Sequence, residues 1–151
     1  MGMPTNIAVF KDTLYVSDFG YGNIKRYLID GTIIDTIGSR GDRPGYFSKV
    51  KGIAVDKESN LFAADAAFDN VQIFNKDRKL LMDLGGHYQG VGPGGLILPA
   101  KVIVDYDNLK YFQKFVDPGF DLKYLVFVVS QYGPSLINVY GRIEPKIQPS
   151  K

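Results

Sequence analysis

Two carboxylates hold the same place in a spaced pattern. Asp18 closes Leu14-Tyr15-Val16-Ser17-Asp18, and Asp65 closes Leu61-Phe62-Ala63-Ala64-Asp65. Carboxylates gathered on one channel can hold a metal ion or divide acid and base work. At the head of a turn, the same side chains instead accept hydrogen bonds from the backbone N–H groups that follow. The turn-capping role fits better, because a catalytic group is rarely needed once per repeat. The single histidine, His87, sits in Gly85-Gly86-His87-Tyr88-Gln89-Gly90. A metal site needs three or more converging ligands, and one His in a chain without cysteine offers too few. The glycines from Gly85 to Gly95 lack the Gly-Lys-Ser/Thr step and the following helix of a phosphate cradle. No Gly-x-Ser-x-Gly is present, and a Ser/His/Asp triad would have His87 alone to draw on. No catalytic residue, metal or cofactor is expected on these grounds.

Residues suited to binding stand out more. Phe19 and Tyr21 follow Asp18, Phe68 follows Asp65, and Tyr132 follows Gln131, which aligns with the two aspartates. These turns are expected to leave one face as an aromatic strip, and aromatics are enriched at binding interfaces. The competing role is to cover the gap to the next unit. A second set, Arg40, Arg43, Tyr46, Lys49 and Lys51, shares one loop. Cations beside an aromatic ring can meet phosphate or an acidic partner. Loop charge is usually just solvated, which ranks nucleic acid below protein or peptide as a partner.

Composition supports a folded chain. The 151 residues are 45% hydrophobic with a net charge of +2, a balance that excludes disorder as the default. No block of like charge marks a nucleic-acid patch. No apolar run approaches the roughly 18 residues that span a bilayer. Met1-Gly2-Met3-Pro4 lacks the basic and apolar stretches of a signal peptide. The absence of cysteine excludes disulfides and thiolate chemistry.

The elements that must position these residues form an internal repeat. Asn6-Ile7-Ala8-Val9 recurs as Gly52-Ile53-Ala54-Val55 and as Lys101-Val102-Ile103-Val104. The run ending in Asp18 or Asp65 has a third copy in Phe127-Val128-Val129-Ser130-Gln131. Ile24-Lys25-Arg26-Tyr27 matches Val71-Gln72-Ile73-Phe74 and Ile137-Asn138-Val139-Tyr140. A fourth run, residues 32–37, matches 79–84, each followed by Gly, and has no third copy. Four short β-type runs per unit, at a spacing of about 40–50 residues, indicate propeller blades rather than a helical solenoid. The fold class expected is all-β. Blade one and its loop occupy 1–50, blade two and its loop 51–99, and blade three 100–141, with 142–151 as a tail.

The segment between the first two units sharpens the assignment. Gly38-Ser39-Arg40-Gly41-Asp42-Arg43-Pro44-Gly45-Tyr46-Phe47 leads into Gly52-Ile53-Ala54-Val55-Asp56, then Ala64-Asp65 and Asn70-Val71-Gln72-Ile73-Phe74. This resembles the NHL-repeat family, over roughly residues 4–141. The resemblance implies three four-stranded blades of a β-propeller, the last without its outer strand, as in the C-terminal half of a six-bladed ring. Bacterial proteins with this repeat are commonly exported, so the resemblance leans to a secreted or periplasmic site. Some related propellers are lactonases or lyases that use a metal held in the channel, and some eukaryotic members bind single-stranded RNA. This chain has too few channel ligands for the first alone.

Blade three carries an insertion at 106–122. Leu109, Phe112, Phe115 and Val116 fall at helical spacing. Asp107 or Asn108 is expected to cap a short helix and Pro118-Gly119 to end it. An open arc exposes apolar faces that a partner must cover. The expected role is therefore a non-enzymatic scaffold that binds protein or peptide through one face. A second copy or a separate half-propeller would complete the ring.

Overall fold

The computed structural model describes residues 2–86, 92 and 94–146. They form three antiparallel sheets. The first runs β1 (Pro4–Phe10), β2 (Thr13–Asp18), β3 (Asn23–Leu28) and β4 (Ile33–Ile37). The second runs β5 (Val50–Val55), β6 (Leu61–Asp65), β7 (Asn70–Phe74) and β8 (Leu80–Gly85). The third has three strands, β9 (Pro99–Asp105), β10 (Phe120–Ser130) and β11 (Ile137–Pro145), in the order β9, β10, β11. Within each sheet consecutive strands pair, most of them joined by a short turn and β9 and β10 by the longer segment 106–119. At the β3–β4 turn, Gly31 has φ of +92° and the Thr32 N–H donates to Asp30 Oδ1 at 2.8 Å. No helix among the described residues is long and apolar enough to cross a membrane.

The sheets stack face to face, with one core in each gap. Tyr15, Ile24 and Ile37 of the first sheet meet Ile53, Leu61 and Phe74 of the second. The opposite face of the second sheet, through Phe62, Val71 and Ile73, meets Val102, Tyr124 and Val126 of the third. This two-sided burial explains why β6 is a continuous apolar run, since both of its faces are covered. The first strands of the three sheets converge. A Cβ on Gly52 would lie 2.5 Å from Lys101 Cα, so only glycine allows β5 and β9 to approach this closely.

Each loop between sheets contributes a plug. Phe47 is fully buried between the first two sheets, and Leu96 is buried between the second and third. Gly38 and Gly85, at the ends of β4 and β8, sit on them. Both have positive φ, +72° and +78°, and an added Cβ would clash with the Phe47 ring or the Leu96 side chain. The loop is fastened to the next sheet by an amide: the Gly45 N–H donates to Gln72 Oε1, and Gln72 Nε2 donates to the Tyr46 carbonyl. Asn138 Nδ2 donates likewise to the Gly95 carbonyl in the second loop.

The third sheet departs from the sequence expectation in four ways. Pro4 pairs with Asp18 and Val50 with Asp65, but Pro99 pairs with Ser130. The carboxylate position in the third sheet is therefore Ser130, not Gln131, and the matching run is 126–130. The turn before β11 holds one more residue than its counterparts, which produced the offset. Secondly, residues 142–145 are strand rather than tail. β10 begins at Phe120, within the expected insertion, and its first residues pair with them, as in Asp121 with Glu144. Thirdly, the helix α1 covers only Leu109–Phe112, followed by a 3-10 turn at Gln113–Phe115. Finally, Asn108 makes no side-chain cap. Asp105 instead accepts from the Asp107 and Asn108 N–H groups and from Asn108 Nδ2. Phe112 packs edge-to-face on Phe127, at 5.8 Å between ring centroids, on the outer face of the third sheet.

The plug role sets a stability expectation. Phe47→Ala should cost about 3–5 kcal/mol, because it opens a cavity that two sheets and Gly38 are shaped around. Urea unfolding of the two proteins measures this, and a loss under about 1 kcal/mol would contradict the packing described.

Candidate functional site

The second strand of every sheet ends at the same end of the stack, where the inner strands begin. Asp18 lies there, fully buried. Its Oδ2 accepts from the Gly2 N–H at 2.8 Å and from Lys25 Nζ at 3.0 Å. Its Oδ1 accepts from the Met3 N–H at 2.9 Å and the Tyr21 N–H at 3.2 Å. Asp65, also fully buried, accepts from the Ser48 N–H at 2.7 Å and the Lys49 N–H at 3.1 Å. It accepts as well from Ala67 and Phe68 in the following turn. In the third sheet two residues share the task. Ser130 Oγ accepts from the Ile97 N–H at 3.3 Å, and Asp69, from the neighbouring turn, accepts from the Leu98 N–H at 2.7 Å. All of these acceptors hold the segment that leads into the first strand, and Asp18 and Asp65 also hold the turn that follows them.

The electrostatics follow from this geometry. Burial alone would raise the Asp18 pKa, but the hydrogen bonds from Met3, Gly2, Lys25 and Tyr21 outweigh it and hold the carboxyl far below the usual range. Lys25 is raised in turn by its bond to Asp18. A carboxylate locked in the ionised state with its oxygens occupied is poorly suited to proton transfer. Among the described residues, no group of three or more His, Asp or Glu converges to hold a metal ion. His87 lies outside the described residues.

The two binding sets expected from sequence lie at this same end. Tyr21 is 56% exposed and Tyr132 65%, while Phe19 and Phe68 are half-buried. Tyr132 does not share a repeat position with Phe19. The one-residue offset matches it to Gly20, and Gln131 to Phe19. Of the basic set, Arg40 is engaged with the first turn, its Nη2 donating to the Phe19 and Gly20 carbonyls at 3.0 and 2.7 Å. Arg43, Lys49 and Tyr46 are exposed. A cleft of about 160 Å³ is lined by Arg43 and Phe68, together with Asp42 and Asp83 among others. Lys51 Nζ donates to Gln131 Oε1, which links the second sheet to the third turn.

One feature of this end was not singled out from sequence. Asn6, Gly52 and Lys101 are matched positions of the three first strands. Lys101 reaches past Gly52 to place Nζ 2.9 Å from Asn6 Oδ1, and the same oxygen accepts from the Ile53 N–H at 3.2 Å. Thr5 and Ser17 continue the network, with Ser17 Oγ donating to the Lys51 carbonyl at 2.6 Å. The repeat aligns the three positions, and the close approach at Gly52 lets the Asn6 and Lys101 side chains meet across it. Lys51 and Lys101 thus have neutral amide acceptors as partners, and among the described residues no carboxylate pairs with either.

Three solved structures place the architecture among propeller-like β folds. A hydrazine synthase from Kuenenia stuttgartiensis matches 85% of this chain and 29% of its own, with a TM-score of 0.58 at 12% identity. The BF0058 protein of Bacteroides fragilis matches 97% of this chain and 38% of its own, with a TM-score of 0.54 at 16% identity. A luciferin-regenerating enzyme matches 93% of this chain and 43% of its own, with a TM-score of 0.51 at 16% identity. The likeness is one of fold alone, and this chain spans less than half the length of each of these structures. No protein-family model matches the sequence, and no curated protein does either.

The ion pair at Asp18 has a testable pH signature. The folded pKa lies below the unfolded one, so the stabilisation is complete above the ordinary carboxylate value of about 4 and fades as pH falls below it. Asp18→Asn should therefore cost about 2–4 kcal/mol at neutral pH, with a gap to wild type that narrows towards about pH 3. Urea midpoints at both pH values measure it, and a gap independent of pH would contradict the assignment.

Proposed function

We propose that the three sheets are three consecutive blades of an NHL-type propeller arc, the third without its outer strand. On this reading the chain is a non-enzymatic scaffold that binds a protein or peptide at the turn-bearing end. The observation that carries the reading is the placement of Tyr21 and Tyr132, both more than half exposed, at the same end as Lys51 and Lys101. Exposed tyrosines offer large contact area at small entropic cost, and they are favoured anchors in interfaces. The lysines add positive charge held by neutral partners, which suits acidic side chains on the ligand.

The fold supports such a role in a second way. The buried acceptors and plugs fix the strands, so the turns between them are presented on a rigid base. The remaining apolar exposure also fits an arc that is part of a larger assembly. Ile7 and Val9 are exposed on the first sheet, and Ile103, Ile137 and Val139 on the third. A further half-ring or a second copy would cover those faces.

A displayed library of linear peptides tests the binding end. Selected ligands should lose about tenfold or more in affinity against the Tyr21→Ala, Tyr132→Ala double variant, whose melting temperature should stay close to wild type. Ligands that bind the variant as tightly as wild type would contradict the proposed site.

A further inference from the structure

The first strands of the three sheets carry unlike residues at one matched position, Asn6, Gly52 and Lys101. Lys101 crosses the bare backbone of Gly52 and donates to Asn6 Oδ1, which the Ile53 N–H already holds in place. Lys51, the residue before Gly52, donates to Gln131 Oε1 of the third turn. A Cβ on Gly52 would lie 2.5 Å from Lys101 Cα, so the two lysines are rooted within about two residue steps of each other. Both are half-buried. An ammonium has three N–H donors and no acceptor, so each lysine has donors beyond the one its amide uses.

The charge of these two groups is not spent on their partners. A neutral amide oxygen orients an ammonium without cancelling it. The repeat carboxylates of this end, Asp18 and Asp65, are buried and committed elsewhere. Asp18 takes Lys25 and backbone N–H groups, and Asp65 takes the N–H groups of Ser48, Lys49, Ala67 and Phe68. Two like charges on adjoining strands repel, and more strongly where protein replaces part of the surrounding water. An anion that both reach removes that cost and gains charge-assisted hydrogen bonds. The bond to Gln131 also ties one charge to a ring, because the next residue is Tyr132, 65% exposed.

We propose that Lys51 and Lys101 form a carboxylate-binding site where the first strands converge, and that its occupant is an acidic side chain, aspartate or glutamate, of a bound peptide. This rests on the reading of the turn-bearing end as a peptide-binding surface, and it names the residue class the peptide must carry. Asn6 and Gln131 are positioning residues, which hold the two ammonium groups with neutral oxygens and keep their charge for the ligand. Tyr132 then meets the part of the ligand beside its acidic side chain. A nucleic acid fits this place less well. A phosphate chain is tracked by a row of cations, whereas these two are rooted at one place. Arg40, from the nearby loop, is already turned to the Phe19 and Gly20 carbonyls.

The test titrates the full chain, followed by amide NMR, with the acetylated and amidated peptide Gly-Tyr-Glu-Glu-Tyr-Gly and with its Gln-Gln counterpart. The acidic peptide should bind saturably, with shifts at Gly52, Ile53 and Lys101, and about tenfold or more tighter than the neutral one. That preference should shrink as sodium chloride is raised. Lys101→Met and Lys51→Met should each remove most of it, with a melting temperature within about 4 °C of wild type, because Asn6 Oδ1 keeps its bond from Ile53. A lower melting temperature with the preference unchanged in both variants would mean that the lysines serve the fold alone, and would overturn the proposal. So would equal affinity of the two peptides, shifts confined to other strands, or tighter binding of hexauridylate at these residues. The Tyr21→Ala, Tyr132→Ala double variant separates this site from the aromatic one. It should lose affinity for both peptides and keep the preference for glutamate. Unchanged affinity there, with the preference intact, would remove the aromatic site and leave this one.

Discussion

A buried acceptor at the end of each second strand ties down the start of the first strand beside it. Asp18 holds Gly2 and Met3, Asp65 holds Ser48 and Lys49, and Ser130 holds Ile97. Burying a carboxylate is costly unless its oxygens are satisfied by hydrogen bonds or charge, and here each aspartate accepts at least four. The pairing of the first with the second strand is irregular at this same place in every sheet, between Pro4 and Asn6, between Val50 and Ile53, and between Val129 and Ser130. A bulge turns the start of the first strand back towards the acceptor. Strand register, turn position and loop path all follow from that contact. The exposed aromatics and the inner-strand lysines then meet at one end, because the acceptor fixes where the turns project.

The plugs extend this logic from single sheets to the stack. Phe47 and Leu96 each close one inter-sheet gap, and Gly38 and Gly85 each make room for one. Gln72 and Asn138 hold the loops that deliver them. The unit is thus a sheet together with the loop that precedes it. The third unit keeps the plug, the amide tie and a weaker version of the acceptor. Among the described residues it has three strands where the other two units have four.

Much of this was legible in the sequence, for physical reasons. The first two units repeat with matched glycines, aspartates and aromatics, since each of those residue types answers a backbone demand that recurs. The paired register of β1 with β2 and of β5 with β6 could be read from those marks alone. The third unit was harder. Residues 125–129 are Leu-Val-Phe-Val-Val, a run with no polar residue to set its phase. The longer turn after Ser130 then shifted the alignment by one, which hid Ser130 as the acceptor and gave Tyr132 the wrong counterpart. Residues 142–145 carry no strand signal of their own in the sequence, because their pairing partners, from Phe120 on, lie at the end of an insertion whose apolar spacing is helical. The meeting of Lys101 with Asn6 depends on three strands converging, and no local pattern encodes it.

Buried carboxylates hold the loop amides, and residue-resolved hydrogen exchange of the native protein examines that directly. Ser48 and Lys49 precede β5 in a surface loop, where free amides exchange within seconds to minutes. If their N–H groups donate to Asp65, they should exchange as slowly as the paired strand amides of Phe62 and Ile73, through the same opening of the structure. Exchange at the rate of an open loop, while those strands remain protected, would contradict the central tie.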